Sequence, residues 1–293
     1  MFGRIRVIEL MSVNKYILYL QLCVIWTLNK ILFVFVFSAI SLCEARKHDP
    51  IFSFFKKKPN EDDRILNFGF GSINDNRELM WNYTNRDPDY LFDDDEVPFE
   101  YREPYRPGTK ITDKSFLIIP NISKADFEKL NTSKPLNELE NACLPVYQAY
   151  RSYYTILGYT ILALKGVDIQ PSITYIMMNY PTKEIQKYPD GTMYEDSEID
   201  IEQPVCESYS VGNNNAIPYV VHKYGVVGTD CFPNTAVPGS TTECSQKDGK
   251  FEKYLVGYKQ GIFQGDADVM KEALIKFGPV YVYGSHEIFI GWD

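Results

Sequence analysis

Three observations predict an α+β fold. A long apolar run at helical spacing fills Pro145–Leu164, shorter helix patterns precede Gly225 and Gly278, and the chain closes on two strand-like apolar pieces around Gly284–His286. Helices first and strands last place a helical lobe ahead of the start of a β lobe.

The elements justify this in order. Residues 1–45 read as targeting sequence: Arg4, Arg6 and Lys15 precede the apolar blocks Tyr16–Leu28 and Ile31–Leu42, broken by Asn29 and Lys30. The second block ends in small residues before Arg46, as a signal peptide cleaved after Ala45 does. Residues 16–42 together are also long enough for a retained signal anchor with its basic end inside. Either way the remainder is exported, and this segment is the only membrane contact expected.

Residues 46–114 read as an acidic, proline-rich pro-region or linker. "RDPDYLFDDDEVPFEYREPYRPG" sets four prolines and many acids among scattered aromatics, with no helical or strand period. The folded domain spans 115–293. "SFLIIP", Ser115–Pro120, is a short strand, and "SKADFEKLN" a short helix capped by Ser123. Pro145 suits a first helical position. Val146, Tyr150, Tyr153, Leu157, Ile161 and Leu164 then recur at helical spacing up to Gly166, on a face broad enough to be buried on most sides. "IQPSITYIMMNY" predicts a second, shorter helix from near Pro171. The charged stretch to Gln203 reads as loop. "NNNAIPYVVHKYG" predicts a helix ending at Gly225, and "GDADVMKEALIKFGP" one capped by Asp266 and stopped by Gly278.

A formal charge of −9 leaves no basic face for phosphates and excludes a nucleic-acid binder. Cys23 and Cys43 fall in the targeting segment. The other four, Cys143, Cys206, Cys231 and Cys244, predict two disulfides in an oxidising compartment, with three pairings open. Asn82, Asn121 and Asn131 begin glycosylation sequons. His48 lies in the linker. His222 reads as a surface residue of its helix, without a second ligand one turn away, so no metal site is expected. No cofactor is expected either.

The stretch "NACLPVYQAYRSYYTILGYTILALKG" carries a resemblance. A papain-type nucleophile sits at the start of a long buried helix within C-G-[SA]-C-[WY]; here the residues are Cys143-Leu144-Pro145-Val146-Tyr147. The segments after Gly166 keep the family's order. "IQPSITYIM" is similar to its next helix, "CESYSVGNNNAIPYVVHKYG" to its C-x-G-G…A…Y…G segment, and "TDCFPN" to its T-E-x-Y-P-Y turn with Cys244 after it. "VMKEALIKFGPVYV" is similar to its E-A-L…G-P-V step, and "SHEIFIGWD" to its histidine strand. From Cys143 to Asp293, about half its length, the chain resembles the papain/cathepsin cysteine peptidases.

The resemblance implies a papain-like two-lobe fold with the helical lobe present and the β lobe incomplete. It implies pairing of Cys143 with Cys206, and leaves Cys231 and Cys244 for a local bridge. It implies a peptide or protein as substrate or ligand, and a secreted or lysosome-like location. The catalytic positions depart from the pattern. Val146 stands at the nucleophile position and cannot be deprotonated or acylated. Glu140 stands at the oxyanion-glutamine position, where a carboxylate repels developing negative charge. His286 fits the catalytic histidine, although its spacing to Gly291 also admits Ser285. The sequence stops before an asparagine-bearing segment. Three expectations result: a cysteine-peptidase relative inactive as written, an active exported endopeptidase whose coding sequence is truncated or mis-spliced, or a non-catalytic pseudoenzyme binding peptides or a protease.

Overall fold

Four short strands stand where the composition predicts a linker. The computed structural model describes residues 64–68, 71–82, 95–119, 122–188, 190–207, 216–283, 285 and 287–293. Its first elements are β1 (Ile65–Phe68), β2 (Gly71–Ile73), β3 (Glu78–Asn82) and β4 (Asp95–Pro98). The β2–β3 reversal is an Asx turn: the Asn74 side chain accepts the N–H groups of Asn76 and Glu78, at 3.0 and 2.9 Å, with Arg77 at φ 61°. Ile73, Leu79 and Trp81 then bury together. Leu79 and Trp81 stand two residues apart, as one strand face requires, but a run this short among acids and prolines is outweighed by the composition around it.

β5 (Phe116–Leu117) and α1 (Lys124–Phe127) stand as expected, the Ser123 hydroxyl accepting the Asp126 N–H at 3.1 Å. After a 3-10 turn at Asn131–Ser133 come α2 (Glu138–Ala142) and α3 (Leu144–Ala149). The single helix expected from Pro145 to Gly166 is divided. A π-helical turn, Tyr150–Tyr154, separates α3 from α4 (Thr155–Lys165). A wide turn rotates every later side chain about the axis. Accordingly Tyr154, not Tyr153, is the wholly buried tyrosine. Gly166 ends α4 in the left-handed region at φ 68°, its N–H donating to the Leu162 carbonyl.

α5 (Ile173–Met178) starts at Ser172, whose hydroxyl accepts the Tyr175 N–H at 3.1 Å. The stretch expected as loop is a hairpin, β6 (Lys183–Lys187) and β7 (Met193–Asp200). Its strands are mostly polar because the sheet is solvated there, so no apolar alternation marks them. They complete a four-stranded sheet in the order β2-β3-β6-β7, with β3 and β6 parallel. α6 (Ile217–Tyr224) and α7 (Ala267–Phe277) close at Gly225 and Gly278, and Asp266 caps α7 by accepting the N–H groups of Asp268 and Val269. β8 (Val280–Val282) pairs with β9 (Glu287–Phe289), and β10 (Gly291–Trp292) returns to β5.

Two apolar cores share α4. Leu157 and Ile161 join Val146, Ala149, Ile173, Ile176, Val220 and Val221 in a helical core. Tyr159 points into a second core built from α7, β5 and β8–β10, with Phe99 and Leu66. Burial on two sides explains the breadth of the apolar face on this helix. The fold is mixed α+β.

Candidate functional site

The expected nucleophile helix begins at a corner built by capping and covalent chemistry. The Asn137 side chain accepts the N–H groups of Leu139 and Glu140, both at 3.0 Å, and a Glu140 carboxylate oxygen accepts the Asn137 N–H at 2.9 Å. This reciprocal box starts α2 and fixes Glu140, which is buried. Cys143 is extended, ending α2 and starting α3 at one residue. Its sulfur is bonded to Cys206, and the Leu144 N–H donates to the Cys206 carbonyl at 3.0 Å. One turn on, Val146 is 0% exposed, inside the helical core.

Glu140, Cys143, Cys206 and Val146 thus meet at one helix start. Two of the three tyrosines of the π turn, Tyr150 and Tyr154, have ring centroids 5.1 Å apart. Burial first, and the Glu140 carboxylate second, push both hydroxyls above the usual tyrosine range. Tyr154 and Glu140 are both buried.

His286 and Asn121 lie outside the described residues, as do the targeting segment and His48; so does the Asn82 side chain, though its backbone ends β3. Ser285, the other candidate for the histidine position, is exposed in the β8–β9 turn and its hydroxyl accepts the Glu287 N–H at 3.3 Å. Burial first, and Tyr281 of β8 second, push the Tyr153 hydroxyl up to about 12. Asn131 is half-buried, and its amide donates to the Asp168 carbonyl at 3.3 Å. His222, expected at the surface, is half-buried on α6, with its Nδ1 lacking a hydrogen-bond partner among the described residues.

Cys231 and Cys244 form the second disulfide. Beside it stands a residue that the sequence does not single out. Asn234 is wholly buried, accepting the Ile173 N–H at 2.7 Å and donating to the Pro171 carbonyl at 3.0 Å, so it ties the "TDCFPN" turn to the start of α5. Asp168 does similar work, its two carboxylate oxygens accepting the N–H groups of Asn131 and Thr132 at 2.7 and 3.0 Å. Their only sequence signal is an Asn or Asp next to a turn.

All four described cysteines are in disulfides, so no free thiol stands among the described residues. Two disulfides are compatible with an extracellular or secretory location. Among the described residues no helix is long and apolar enough to cross a membrane. Compared with protein-family models, curated proteins and solved structures, the chain matches none.

Proposed function

We propose that the chain is an exported, non-catalytic relative of the papain-type cysteine peptidases, a pseudoenzyme that binds peptides or proteins without cleaving them. The observation that carries this reading is the start of α3, where Val146 is core and Cys143 is held by Cys206. Hydrolysis by the family route needs a thiolate at that helix start, and neither residue supplies one. Glu140, at the oxyanion position, is engaged in the capping box and brings negative charge where the reaction needs a donor. The lineage itself is supported by the order of a long buried helix, a short Ser172-capped helix, the Cys143–Cys206 bridge and the α7-to-β8 step through Gly278.

The test uses purified, non-reduced protein. Fluorogenic peptide substrates and a thiol-directed epoxide probe should give no turnover and no adduct. A defined random-peptide mixture passed over immobilised protein should leave a retained subset, identified by mass spectrometry. Turnover that the epoxide abolishes would overturn the non-catalytic reading. Retention equal on native and on reduced, unfolded protein would overturn the binding reading.

A further inference from the structure

The β2-β3-β6-β7 sheet ends on β7, and no described strand pairs with the outer side of β7. Its regular part is short. Lys183, Glu184 and Ile185 pair with Asp200, Ile199 and Glu198, and the Ile201 N–H continues the ladder to Thr182 at 2.9 Å; beyond Ile185 the register shifts. Glu198–Ile201 therefore offers a regularly paired run of backbone groups on an edge that no described strand covers, a template for another extended chain.

The two faces of this edge differ in chemistry. Side chains alternate along a strand, so Glu198 and Asp200 share one face while Ile199 and Ile201 share the other. The acidic face contacts Lys183, yet the Glu198 and Asp200 side chains remain 52% and 92% exposed. On the opposite face Ile199 is 50% exposed, while Ile201 is half-buried against the helical core and leaves only part of its side chain to cover. Between positions 190 and 202 the sequence has six acidic residues and no basic one. The two lysines of β6, Lys183 and Lys187, do not balance six acids, and a partner bearing positive charge complements the segment.

We propose that the outer edge of Glu198–Ile201 docks an extended polypeptide segment that alternates basic and apolar residues. Backbone groups of the incoming strand pair with β7, its Lys or Arg side chains lie across from Glu198 and Asp200, and its apolar side chains cover Ile199 and Ile201. This inference does not depend on the peptidase lineage, since it uses the hairpin and not the helix start.

The experiment measures fluorescence anisotropy of labelled, end-blocked hexapeptides with the full chain. The probe alternates lysine with valine and threonine; the first control has the same residues with the three lysines together, and the second is N-methylated at alternate residues. Saturable binding of the alternating probe is expected, with both controls about five- to tenfold weaker. Glu198→Gln with Asp200→Asn should weaken the alternating probe by a similar factor and leave the thermal melt in place. Equal binding of the clustered or N-methylated peptide would reduce the effect to bulk charge and overturn strand addition. Absence of binding would mean that the acids only guard the edge, and would also overturn it. Neither result bears on whether the helix start is catalytic.

Discussion

Val146 decides between a reactive helix start and a structural one, because the same position carries opposite expectations in the two cases. A nucleophile position must be reachable by a substrate, whereas Val146 is 0% exposed among core residues. Val146→Cys tests this directly, since a thiol is close to valine in volume and is accommodated with little strain. Iodoacetamide should not label Cys at this position in the native protein, and should label it once urea unfolds the chain. Mass spectrometry of the adduct reads the outcome. Labelling of the native variant at the rate of a free thiol would show that the helix start is open. The valine and Glu140 can be picked out from the sequence by their distance from Cys143. The burial of Val146 cannot, because it depends on α5 and α6, which are remote in the chain.

At the scale of elements, legibility depends on how many apolar residues mark each one. Six apolar residues at helical spacing reveal the α3–α4 run, and Asp266 with Gly278 bounds α7. The π turn is invisible, since one wide turn changes which tyrosine faces inward without changing the composition. β6 and β7 escape a sequence reading because backbone pairing, β6 to β3 and β7 to β6, holds them rather than an apolar face. The cysteines are legible as two bridges, and the bridges serve elements of different reach. Cys143–Cys206 spans 63 residues and ties the start of α3 to a distant segment, while Cys231–Cys244 spans 13 within one turn region. The loop-closure relation gives about 4 kcal/mol for the first and about 3 kcal/mol for the second. Paired serine substitutions should therefore lower the urea midpoint more for Cys143 with Cys206 than for Cys231 with Cys244. The reverse order would mean that the turn around Asn234, not the helix start, limits stability.

The whole molecule is rich in tyrosine, 22 in 293 residues, and its response to alkali depends on where the hydroxyls lie. Tyr159 and Tyr175 are each 0% exposed, and burial pushes both up to about 12. Tyr159 keeps a 2.8 Å hydrogen bond with Ser133, and Tyr175 donates to the Tyr224 carbonyl at 3.3 Å. Below pH 10 both states hold these protons, so they add no pH dependence. Above it the unfolded chain loses the proton first and binds fewer protons than the native one, so stability falls as pH rises towards 12. Each tyrosine contributes a slope of about 1.4 kcal/mol per pH unit. Tyr159 and Tyr175 together give about 3 kcal/mol per unit, and Tyr150, Tyr153 and Tyr154, also pushed up by burial, add to it, against a total of about 5–15 kcal/mol for a typical domain. Urea midpoints should hold level from pH 8 to pH 10 and drop clearly by pH 11. Tyr159→Phe should lessen that fall by one tyrosine's share while leaving the stability at pH 8 within about 1 kcal/mol of the parent, since one neutral hydrogen bond is lost. A midpoint that stays level through pH 11 would mean that these hydroxyls meet water in the native protein, and the two-sided burial of α4 would have to be abandoned.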